Sequence, residues 1–243
     1  MKEEASKLVL NDDDSNSEAI SEAAASGKKY DVTLAGRTFS KDGEWNSICL
    51  PFDVVLEGSP LEGATAKTLT SATMDETQVT LTFGEAVTTL SAGVPYIIKW
   101  EATDEQIVEP TFSKVTVVNS SDEERTISLA DDNVQFAGYY DAFSITPGNG
   151  NIYYITAGNK LIHSSMNHTL KAFRAYFRLS EEAVTHQFVL DFGDGDSTSI
   201  MDQKEETNDK YANAGWYTLD GRKLNGKPTK KGIYLHNGRA VMK

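Results

Sequence analysis

Apolar and polar residues alternate over much of the chain, the two-residue period expected of strands that bury one face. Tyr30, Val32 and Leu34 follow it, as do Ile48, Leu50 and Phe52, then Val79, Leu81 and Phe83. It returns at Val94, Tyr96, Ile98 and Trp100, at Phe173, Ala175, Phe177 and Leu179, and at Phe188, Leu190 and Phe192. Fainter strand signals at 114–118, 126–129, 134–136 and 152–155 bring the expected total to about ten. One segment breaks the period. Ser15 and Glu18 have capping-box spacing and Gly27 stands at a helix stop, so a short helix is expected at about 16–26, with Ile20, Ala23 and Ala24 as a thin apolar stripe. Gly158-Asn159, between Tyr153-Tyr154-Ile155 and Leu161-Ile162, predicts a tight two-residue hairpin. Short strands without long intervening helices predict a mainly β fold, an antiparallel β-sandwich over 30–192.

The patterning also divides the chain. From 193 to 214 it is polar and acidic with few apolar anchors, the composition of a linker. Beyond it, Trp216 to Leu224 and Gly232 to Val241 read as two hairpins turning at Asp220-Gly221 and Asn237-Gly238. The expected organisation is a β module at 1–192, a linker at 193–214 and a small two-hairpin unit at 215–243. Four short strands are marginal alone, so that unit is expected to dock on the body or on a partner.

Composition sharpens this picture. Of the 243 residues, 39% are hydrophobic and 24% charged, which excludes a wholly disordered chain. The net charge of −13 opposes phosphate backbones and argues against nucleic acid as a partner. Residues 215–243 carry +6, leaving −19 on the rest, so the tail is either a solvated basic face that complements an acidic body or a recognition element. No run of about 18 apolar residues predicts a transmembrane segment. Cys49 is the sole cysteine, so internal disulfides and multi-thiolate metal sites are excluded. The opening Met1-Lys2-Glu3-Glu4-Ala5-Ser6 lacks the apolar stretch of an export signal, which fits either a protein that stays inside or part of a longer exported chain.

The residue types that carry chemistry form no catalytic motif. His163, His168, His186 and His236 lack metal-ligand spacing. Cys49, expected within a strand, reads as structural, and no nucleophile elbow or phosphate-cradling loop occurs. A glycoside hydrolase remains a rival because two carboxylates brought together by a fold obey no spacing rule. Asp12, Asp14 and Asn16, and Asp191, Asp194 and Asp196, place oxygen ligands two or three residues apart, as Ca²⁺ requires, though solvated turns explain both clusters as well. Neither completes an EF-hand, and no cofactor is expected. Trp45, Trp100, Tyr139 and Tyr140, with Tyr153 and Tyr154, are either core or an aromatic platform for stacking sugar rings. Adjacent strand residues face opposite ways, so one of Tyr139 and Tyr140 should point outward unless both faces are covered.

Two stretches resemble a known group. Tyr217, Gly221, Arg222, Gly232, Tyr234, Gly238 and Lys243 mark a tail that resembles the C-terminal sorting-type domain of Bacteroidetes surface and secreted proteins. That resemblance implies export by a type IX-like route and attachment at the surface. In the body, 30–38, 45–52, 92–100 and 172–177 resemble a module found near the ends of large Bacteroidetes surface proteins, some with leucine-rich repeats. The implied function is a non-enzymatic, cell-surface or secreted spacer, adhesin component or presenting domain. The implied partners are a surface glycan or protein and, through the tail, the secretion and anchoring machinery. The alternative is a carbohydrate-binding module.

Overall fold

The computed structural model describes residues 5–103, 105–146, 151–156, 158–163 and 167–193, together with the backbone of five further strands between 197 and 242. The chain is mainly β, with one α-helix among the described residues, and it divides into two compact units, Met1–Gln203 and Lys204–Lys243.

The first unit is a sandwich-like assembly of several sheets. Its centre is a five-stranded antiparallel sheet in the order Thr126–Leu129, Val134–Tyr139, Arg174–Leu179, Ile152–Thr156, Lys160–His163. A four-stranded sheet, ordered Ser197–Ile200, Gln187–Asp191, Gln78–Phe83, Leu69–Met74, supplies the facing layer. Phe83 meets Phe136 and Phe177 edge-on at 6.1 and 6.5 Å, while those two stack at 4.7 Å, so aromatic rings from both sheets fill the layer between them. Val79, Leu81, Phe188, Leu190 and Phe192 complete this core.

A second core forms around the N-terminal part. Ser6–Asn11 pairs in parallel with Lys29–Ala35, and the helix Ser17–Ser26 makes the connection between them. Parallel neighbours need such a crossover, and Ile20 and Ala23 bury the stripe expected of that helix against Leu10, Val32 and Leu34. Gly27 ends the helix at φ 61°. Antiparallel pairing of Asn46–Ile48, Tyr96–Lys99 and Thr65–Lys67 lies between the two cores. Ile97 packs into one and Tyr96 and Ile98 into the other, which explains why Tyr96-Ile97-Ile98 is uninterrupted by polar residues.

Several expectations are corrected at the level of elements. Two pairings are parallel, the second between Gln78–Phe83 and Gln187–Asp191. The helix N-cap is Asn16, not Ser15, and no side chain of its own turn caps it. Ile48 ends its strand, so Cys49 lies in the following loop, where its N–H donates to Phe173 O at 3.2 Å. Thr156 stands opposite Lys160, leaving three residues rather than two at that hairpin, with Gly158 and Asn159 both at positive φ. Ser197–Ile200, inside the expected linker, pairs with Gln187–Asp191 and belongs to the first unit.

The second unit is a four-stranded antiparallel sheet ordered Lys223–Leu224, Trp216–Thr218, Ile233–His236, Arg239–Met242. Both expected hairpins are present, and pairing of Tyr217 with Leu235 joins them into one sheet. Gly221, Arg222, Gly232, Gly238 and Lys243 lie outside the described residues.

Candidate functional site

The aromatic platform is not formed by the residues expected to make it. Trp45, Trp100 and Tyr140 are only 3–5% exposed. Trp100 donates its indole N–H to Glu62 O at 3.1 Å and packs on Phe39. Tyr140 donates to Leu50 O at 3.2 Å with the Arg125 guanidinium over its ring. Trp45 stacks on Phe192 at 5.3 Å and carries Lys99 over its face at 4.6 Å. Tyr139 turns the opposite way from Tyr140, but there it stacks on Phe143 at 4.5 Å under the strand pair Phe143–Ile145 and His168–Leu170. Both faces of its sheet are therefore covered, and neither neighbour offers a free flat ring. Tyr153 belongs to the core between the sheets.

The acidic residues that are described serve the fold. Asp12 is 2% exposed and receives the Arg174 guanidinium in a bidentate pair, while its backbone oxygen accepts from Ala172 N–H at 2.8 Å. Asn16 accepts from Asn11 N–H at 2.7 Å and donates to Tyr140 O at 2.8 Å. Asp191 closes a turn onto Gly193 N–H at 2.9 Å, and Asp194 and Asp196 lie outside the described residues. Among the described residues no three His, Cys, Asp or Glu side chains stand together as metal ligands. Cys49 is fully buried, and burial raises its thiol pKa to about 12, so it stays protonated at neutral pH and lacks nucleophilic character.

Two clefts open among the described residues of the first unit, one of about 450 Å³ beside Val54, Pro60 and Thr111 to Thr116, the other of about 340 Å³ with two arginines in its lining. The segment 40–47 forms one wall, Tyr154, Ile155 and Thr156 another, and His168 to Lys171 a third, with Arg37, Arg174 and Tyr176 at its base. Arg37 is 3% exposed; its Nη2 donates to Ser47 O at 2.8 Å and its plane lies over Phe39 at 4.1 Å. Its Nε has no hydrogen-bond partner, and neither has Glu44 Oε2. Burial, and next the Arg174 charge, disfavour the Arg37 cation and lower its pKa, though it remains charged at neutral pH. Tyr154 is half-buried, stacked near-parallel on His168 at 5.8 Å and edge-on to Tyr176 at 6.5 Å. Asn159 at the hairpin accepts from Trp45 N–H at 2.8 Å, tying that turn to the wall.

Of these residues the sequence pointed singly to Trp45, Tyr154, Ile155, Asn159 and His168, and for other reasons, while Arg37, Arg174 and Tyr176 fell only within stretches that carry the resemblance. Arg37 and Glu44 follow no periodicity. For Glu44 the sequence signal is position alone, in a Gly- and Asp-containing stretch between strands. Compared with known proteins, the chain matches no family model, no curated protein and no solved structure.

Proposed function

We propose that this chain is a non-enzymatic module of a Bacteroidetes-type cell-surface or secreted protein, a spacer or presenting domain whose basic C-terminal unit is a sorting or anchoring element. The observation that supports this reading best is the division at 203/204: the unit that contains the four-stranded sheet carries a net charge of +5, against −18 on residues 1–203. A self-contained basic element is what a receptor can recognise without disturbing the rest. The body supports it too, since its aromatic rings and its thiol are spent on packing rather than gathered for reaction.

Deleting 204–243 tests the reading in the native host. The expected result is a folded body, with thermal melting near that of the full chain, that no longer appears at the cell surface. Display that survives the deletion would sink the sorting role.

A further inference from the structure

We propose that the cleft between the 40–47 segment, Ile152–Thr156 and His168–Leu170 binds an acidic saccharide residue, a pyranose bearing one carboxylate. This goes beyond the surface-module reading and is independent of it.

The argument starts from the two arginines at its base. Arg174 is complete: Asp12 takes its two terminal nitrogens, and Ala172 O accepts from Nη1 as well at 2.8 Å. Arg37 is more deeply buried yet incomplete, with one backbone acceptor, an empty Nε and no carboxylate of the described residues within ion-pair distance. Asp12 acts on this guanidinium only at a distance, beyond ion-pair contact, so its Nε keeps an unmet hydrogen bond, and a planar fork matches a carboxylate. Glu44 Oε2, on the adjoining wall, is an acceptor without a donor. A ligand that offers an anionic acceptor beside hydroxyl donors meets both needs at once.

Charge narrows the class. Asp42 and Glu44 line the same cleft and oppose a dianion such as phosphate, whereas a monoanion is tolerated beside Arg37 and Lys171. The Lys171 ammonium pairs, among the described residues, with Asp13, whose side chain is 65% exposed, a pairing weak enough for a ligand carboxylate to replace. Tyr154, half-buried and braced by His168 and Tyr176, adds aromatic surface to the lining of the cleft. The volume lies near the low end of the range of about 300–1,000 Å³ usual for ligand pockets, which suits one sugar residue and its linkage.

The test is calorimetric titration of the full chain with D-glucuronate, D-glucose, acetate and inorganic phosphate. The proposal expects saturable glucuronate binding, with the other three weaker by about tenfold or more. Glu44→Ala, which removes the acceptor altogether, and Tyr154→Ala should each weaken glucuronate about tenfold at a temperature where circular dichroism shows the variant folded. Arg37→Gln should abolish binding; if that variant fails to fold, the other two still decide. The proposal is overturned if glucuronate does not bind, or if acetate or phosphate binds as tightly, which would make this a plain anion site. It is equally overturned if glucose binds as tightly, if the Glu44 and Tyr154 variants both bind like the parent, or if a crystal soaked in glucuronate shows only a fixed water joining Arg37 Nε to Glu44 Oε2.

Discussion

A Cβ placed on Gly138 would overlap Cys49 Sγ and stand 2.6 Å from Cys49 Cβ. The strand Val134–Tyr139 can thus pass the loop after Ile48 only because it carries no side chain there. Gly138→Ala should cost about 1–3 kcal/mol in chemical denaturation, from overpacking. Cys49→Ala removes the sulfur and should recover part of that loss, so the double variant should be more stable than the sum of the two single changes implies. The same burial governs the thiol. Its folded pKa is raised, so the folded state holds a proton that the unfolded state has released; the stability it contributes is complete below about pH 9 and is lost towards pH 12. In the native protein at pH 8, Cys49 should resist alkylation and react only on unfolding. A flatter alkaline stability profile in Cys49→Ala than in the parent would verify the sign.

Among the elements, the helix Ser17–Ser26 shows how a local signal is overruled by a distant residue. Asp141 Oδ1 accepts from the N–H groups of Asn16 and Ser17, and the hydroxyls of Ser15 and Ser17 also donate to that carboxylate. A charge more than a hundred residues away thus occupies the place that the Ser15 and Glu18 spacing assigned to the helix itself. These hydrogen bonds favour the ionised form and hold the Asp141 pKa down, against the opposing effect of burial. Asp141→Ala should cost about 1 kcal/mol, measurable as a lower melting temperature, while Ser15→Ala should cost less. What was legible beforehand was what period and turn chemistry dictate: the helix, its Gly27 stop, the long strands and both C-terminal hairpins. Short strands such as Thr38–Ser40 and Phe143–Ile145 were missed because three residues carry too little alternation to register. The Asp12 to Asn16 cluster was misread for a related reason. Its partners Arg174, Tyr140 and Asp141 come from a segment that only the folded chain brings near.

For the molecule as a whole, the boundary matters more than its composition indicated. Polarity alone placed it at 193, but Ser197–Ile200 is the edge strand that pairs with Gln187–Asp191 from Phe188 opposite Ile200 to Asp191 opposite Ser197. A fragment ending at 192 should therefore melt below one ending at 203, the loss of an edge pairing outweighing the removal of a polar segment. Equal melting would place the strand outside the cooperative unit. The parallel pairing of Gln78–Phe83 with Gln187–Asp191 has a kinetic consequence. Its two strands are separated by about 100 residues of chain, and contacts that distant are slow to form because the loop must close before they reward it. During synthesis the layer between the two large sheets cannot close until Gln187–Asp191 has left the ribosome, so the apolar face of Gln78–Phe83 stays uncovered while about 100 further residues are made.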